Sequence, residues 1–213
     1  MKNLKLTTGI VSIAFIILTA MSCKGETKKT DTNENMNTME TNHGENESHD
    51  HSTMHNDSDN QERSVEASSQ KNPATTPIIE AYLHIKNGLA ADNKENAAHG
   101  ATELLVAFSA FDMSQLKGET HNEYMEILES AKEHAEHITK NPIDHQREHF
   151  ESLSTDINDL VTLLGTEKTL YKDFCPMVNN NKGGYWLSEV KEIKNPYFGA
   201  KMLKCGSIKA QIN

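Results

Sequence analysis

Between Pro77 and Gly165 the chain carries four apolar stripes at helical spacing, and no other feature narrows its fold so far. Side chains three and four apart share one face of a helix, so each stripe has to be buried against another element. In the first segment Ile78, Tyr82, Ile85 and Leu89 share a face, Thr76 is placed to cap it, and Pro77 suits the first helical position. In the second, Asp92 with Glu95 has the form of a capping box, and Ala97, Ala101, Leu104, Phe108 and Phe111 make the stripe. The third, over 119–139, sets Tyr124, Ile127, Leu128, Ala131, Ala135 and Ile138 on one side. The fourth opens with Asn141 as cap and Pro142 at the first position, carries Phe150, Leu153, Ile157, Val161 and Leu164, and stops at Gly165. Short connections make consecutive helices antiparallel neighbours. The spacing therefore predicts a mainly α fold, an up-and-down four-helix bundle.

After Gly165 the period changes. The stretches "TLYKDFCPMV" and "YWLSEVKEI" flank "NNNKGG", which has the turn chemistry of a hairpin. "NPYFG" reads as a turn and "KMLKCGSIKAQI" as a final strand. A small C-terminal antiparallel β element packed on the helices is expected.

Upstream, residues 23–76 contain almost no large aliphatic side chains and are dense in Asn, Thr, Ser, Glu, Asp and His. Such a composition buries too little apolar surface to offset the entropy of ordering, so a disordered acidic linker is expected there. Residues 1–22 have the form of a secretory signal: Lys2 and Lys5 precede "IVSIAFIILTA", an apolar run too short to span a bilayer comfortably. Cys23 directly after the small Ser22 resembles the lipobox of a bacterial lipoprotein, although Ala20 stands where such boxes usually have leucine. The expectation is export, with Cys23 lipidated and the protein anchored to the inner or outer membrane, facing the periplasm or the cell surface. The folded domain is then 77–213. The net charge is −10, and both the linker and the folded part are acidic, which argues against a nucleic-acid partner and suits cations.

Three groups of residues could hold a metal. Cys175, Met177, Met202 and Cys205 concentrate soft sulfur near the C-terminus, beside Trp186. Two thiolates and two thioethers suit Cu(I); zinc fits if histidines complete a tetrahedral site around the thiolates. The same cysteines, in an exported protein, could instead form a Cys175–Cys205 disulfide, with Met177, Met202 and Trp186 as packing groups. In the linker, His43, His49, His51 and His55 lie close together with Met36, Met39 and Met54, a pattern that suits metal collection. On the helices, His145 and His149 are four apart and His134 and His137 three apart, so each pair can meet on a helix surface. The joining loop at 140–142 would bring all four to one end of the bundle, where Zn or Cu(II) could bind with help from Glu133, Glu148 or Asp144. The alternative is a solvated bundle end. His84 and His99 fall opposite their stripes and read as exposed. No nucleophilic triad, phosphate-binding glycine loop or H-E-x-x-H helix is present, so no enzymatic activity is expected.

The motifs C-P-M, W-L-S, N-P-Y-F-G and M-x-x-C-G at this spacing, with "YLHIKNGLAADN" and "QREHFESLS" upstream, resemble a periplasmic domain of unknown biochemical function. That domain occurs alone in lipoproteins and appended to adaptor proteins of copper- and heavy-metal-efflux pumps in Gram-negative bacteria. The resemblance covers about 77–213 and implies a helical, metal-associated module without catalysis. Its pattern falls on Cys175, Met177, Trp186, Asn195, Tyr197, Met202 and Cys205. The function it implies is binding of copper or a related soft metal, for buffering or for delivery to an efflux system. The alternative is a structural module, stabilised by the disulfide, that docks on an efflux adaptor or another envelope protein.

Overall fold

A computed structural model describes residues 71–213, so the signal segment, Cys23 and nearly all of the linker lie outside the described residues. Four long helices come first: α1 (Thr76–Ala90), α2 (Lys94–Ala110), α3 (Glu119–Lys140) and α4 (Ile143–Leu164). Each packs on the next, and α1 also meets α4, which closes the bundle. The stripes are its core: Tyr82, Leu104, Tyr124, Ile138, Phe150 and Ile157 are all buried, and only Phe111 at the end of α2 is half exposed. Gly88 and Gly100 let α1 and α2 approach backbone to backbone. A Cβ on Gly88 would stand 2.5 Å from the Ala97 nitrogen, and one on Gly100 2.7 Å from the Ile85 nitrogen.

The helix starts differ from the sequence expectation in three places. A 3-10 turn, Pro73–Thr75, leads into α1, so Thr76 is the first helical residue rather than the cap. Thr75 instead donates its hydroxyl to the carbonyls of Asn72 and Gly165, tying the entry of α1 to the exit of α4. Asp92 does not cap α2. Asn93 does, its side-chain oxygen accepting from the Asn96 amide at 2.9 Å. Asp92 sits at φ 55° and turns its carboxylate to the Arg147 guanidinium and the Ala200 amide. These partners satisfy an ionised carboxylate better than a single helix amide does. Asn141 closes α3 rather than opening α4, donating to the His137 carbonyl, and Pro142 takes the cap position of α4.

Three antiparallel strands follow, β1 (Leu170–Cys175), β2 (Gly184–Ser188) and β3 (Ser207–Ile212), with β1 in the centre. The hairpin is where its turn residues put it. Asn179, Asn180 and Asn181 hold φ of 50°, 53° and 68°, a left-handed region that asparagine tolerates better than most residues. The last strand begins at Ser207 because the preceding residues turn through a 3-10 segment, Gly199–Lys201. Tyr82 joins the layers: its hydroxyl meets Ser154 of α4 at 2.8 Å and accepts from the Leu187 amide of β2 at 3.0 Å, while its ring stacks on Phe150. No helix among the described residues is long and apolar enough to cross a membrane.

Candidate metal centre

The turn between α3 and α4 is held from three sides. Asn141 caps α3, and the buried Gln146 donates to the Ile138 carbonyl at 2.7 Å and the Lys94 carbonyl at 3.2 Å. Arg147 reaches the carbonyls of Leu89 and Pro196, each at 3.0 Å. His134 and His137 occupy the last turns of α3, and His145 and His149 the first turns of α4, so antiparallel packing brings all four imidazoles together. All are half buried.

His149 is the centre of the group. Its ring stacks on His137 with centroids 4.0 Å apart and meets His145 edge-on at 4.6 Å. Its Nε2 lies 3.0 Å from His145 Nε2, and that atom lies 3.4 Å from His137 Nδ1. One nitrogen from each of these three rings falls within 4.8 Å of the others. Ligands at about 2.0–2.1 Å from a tetrahedral zinc are roughly 3.3 Å apart, which both contacts to His145 Nε2 approach, while His137 and His149 lie within 4.8 Å of each other.

The remaining contacts set the ring orientations. His145 Nδ1 faces Glu148 Oε2 at 3.1 Å, so a proton held there by the carboxylate leaves Nε2 with its lone pair turned inward. His134 Nδ1 lies 3.0 Å from His149 Nδ1. In the tautomer with the proton on Nδ1, His149 donates to His134 and presents Nε2 to the centre. In that tautomer His134 backs His149, and the nitrogens turned to the centre are His137 Nδ1, His145 Nε2 and His149 Nε2. Burial and the neighbouring rings of His137, His134 and His145 push the His149 pKa down to about 4, so this imidazole is neutral and ligand-ready at neutral pH. Three donors leave a fourth position open to water or to an incoming ligand. Of the acidic residues expected to assist, Glu148 stands against His145, whereas Asp144 faces Arg147.

At the other candidate site, Cys175 and Cys205 are joined in a disulfide with Cα atoms 5.8 Å apart. In this oxidised state the C-terminal sulfur set offers a metal no thiolate. Met177 is about half exposed just after β1, and Met202 is half buried. The surrounding motif residues build the fold. Trp186 and Tyr197 are core residues, and the Tyr197 hydroxyl donates to the Tyr185 carbonyl. Asn195, fully buried, donates to the Cys205 carbonyl and accepts from the Tyr197 amide, each at 2.8 Å. The linker histidines His43, His49, His51 and His55 lie outside the described residues. His84 and His99, which read as exposed in the sequence, meet Glu103 in a second cluster, with His84 half buried and His99 exposed; the i,i+4 spacing of His99 and Glu103 was its only signal in the sequence.

Residues 78–169 match the family described as "Protein of unknown function (DUF3347)". The match takes in the four helices and their histidines and ends before β1, so the sulfur-bearing motifs stand outside it. No curated protein and no solved structure matches the chain.

Proposed function

We propose that this protein is an exported metal-binding protein that holds one transition-metal ion on His137, His145 and His149. The observation that carries this reading is the convergence of three imidazole nitrogens with a carboxylate behind one of them and a neutral histidine at the centre. Imidazole donors suit zinc and copper, and the acidic surface favours cations. An open fourth position suits an ion that is buffered and handed on, because an incoming ligand can enter before the others leave. On this reading the lipid at Cys23 tethers the protein to a membrane, the linker histidines collect ions, and an efflux adaptor or another envelope protein is the receiver. Catalysis is not part of the proposal.

The test is calorimetric titration of the full chain with Zn(II) and with Cu(II), in a background where His43, His49, His51 and His55 are each changed to Asn. His145→Ala with His149→Ala should weaken the tightest binding event by at least about 100-fold while the helical circular dichroism is kept. Unchanged affinity in that variant would remove the site.

A second reading is favoured by the Cys175–Cys205 disulfide: a structural module that docks on an envelope partner. Reduction is the branch point between it and Cu(I) binding by Cys175, Met177, Met202 and Cys205. Anaerobic Cu(I) titration of the reduced chain in the same background, against Cys175→Ser with Cys205→Ser, distinguishes them. Tight binding lost in the variant assigns the sulfur set a metal role, and equal weak binding leaves it structural.

A further inference from the structure

We infer that His84, His99 and Glu103 form a second binding site for a borderline divalent metal ion such as Zn(II), on the face where α1 meets α2. The site uses none of the residues of the α3–α4 cluster. Asn96, His99 and Glu103 stand on successive turns of one face of α2, and Gly100 removes the side chain that would hold α1 away at this point. A Cβ there would lie 3.1 Å from the His84 Cβ, so the missing side chain is what seats His84 directly over this face.

The donor atoms already converge. Glu103 spans both rings, with Oε2 2.6 Å from His84 Nδ1 and Oε1 3.4 Å from His99 Nδ1, and the ring centroids are 5.4 Å apart. Asn96 Oδ1 stands 2.9 Å from His84 Nε2. A carbonyl oxygen can only accept, so Nε2 carries a proton and a neutral His84 has its lone pair on Nδ1, aimed at the carboxylate. An ionised carboxylate oxygen stands 2.6 Å from a lone-pair nitrogen only when a positive charge lies between them. Without metal that charge is a second proton. A metal ion replaces that proton and draws in His99. Ligands of one ion stand nearer 3 Å apart, and Glu103, 46 % exposed, has room to withdraw that far. Asn96 then does for His84 what Glu148 does for His145: it fixes the tautomer from behind.

The donor atoms are reached from open solvent, since the His99 side chain is 67 % exposed. His84 and Asn96 line a surface hollow of about 380 Å³ that Glu80 and Glu189 also border, with Lys168 paired to Glu80 at 2.9 Å. Two histidines and a carboxylate suit zinc, cobalt or nickel, while Ca(II) and Mg(II), which prefer all-oxygen sites, fit poorly.

The test reads the residues directly. The full chain with Asn at His43, His49, His51 and His55 is titrated with Zn(II), and imidazole nitrogens are followed by long-range ¹H–¹⁵N correlation. The Nδ1 resonances of His84 and His99 should move together, and should still do so in the His145→Ala/His149→Ala variant. The second site is thus scored whether or not the first one binds. Glu103→Gln should raise the Zn(II) concentration at half-shift by about tenfold or more, and His84→Ala should abolish the His99 shift. Resonances of His84 and His99 that stay still to millimolar Zn(II), or a midpoint unaltered by Glu103→Gln, would overturn the inference.

Discussion

Asp173 is fully buried in β1 opposite Trp186, whose indole is too poorly aligned to make a full hydrogen bond to either carboxylate oxygen. Burial pushes its pKa up to about 6; the Lys86 ammonium and the Trp186 indole partly offset this. Lys86 is itself buried, with its own pKa lowered by desolvation, so the two charges support each other imperfectly in a dry layer. A carboxyl whose folded pKa lies above its unfolded value of 3.8 binds its proton more tightly when folded. The contribution of Asp173 to unfolding free energy therefore falls as pH rises from about 4 to about 6, by roughly 3 kcal/mol, and levels off above that window. Urea unfolding of wild type and Asp173→Asn between pH 4 and 8 should differ by this fall, which is read as the difference between the two proteins because the lowered His149 pKa gives both an opposite slope in the same window. A slope identical in both proteins would mean that Asp173 is solvated. The candidate metal centre was legible only in part. The spacings of His134/His137 and His145/His149 showed which rings could meet. They did not show that His149 would be the centre or His134 its support, because ring orientation depends on contacts across two helices.

At the scale of elements, α1 and α2 approach closely because two glycines face the opposing backbone. Gly88→Ala tests this with two opposed effects. Alanine in a helix gains about 1 kcal/mol over glycine. Overpacking against a backbone costs about 1–3 kcal/mol, and here the new Cβ would meet the Ala97 nitrogen at 2.5 Å with no flexible side chain to yield. The clash should win, lowering the thermal midpoint by several degrees; a midpoint equal to or above wild type would show that the helices can separate at little cost. Helix identity and length were legible from the stripes, since burial of an apolar face needs only periodicity. The caps were less so. Asp92 fitted a capping box in sequence, but Arg147 and Ala200, both more than fifty residues away, offered its carboxylate stronger partners. Local rules could not anticipate that competition.

Across the whole domain, the three-stranded sheet is attached to the bundle through Tyr82, Phe150, Trp186 and Tyr197, and is closed on itself by the Cys175–Cys205 bond. That link spans 30 residues, for which removal of the cross-link is worth about 3–4 kcal/mol through the entropy of the unfolded chain. Cys175→Ser with Cys205→Ser should lower the urea midpoint accordingly while most far-UV helical signal remains, since the core of the bundle is made by the helix stripes. Loss of helix at 25 °C without denaturant would show instead that sheet and bundle fold only together. By itself the sequence determined the four helices, their antiparallel order, the hairpin at "NNNKGG" and the four histidines gathered at one turn, because each follows from periodicity, turn chemistry or short loop length. Only the tertiary structure decided which nitrogens face one another, that Asn96 and Glu103 enclose His84, that Asp173 is buried beside Lys86, and that the two cysteines are bonded. Those outcomes depend on distances between residues far apart in the chain, and no local pattern encodes such distances.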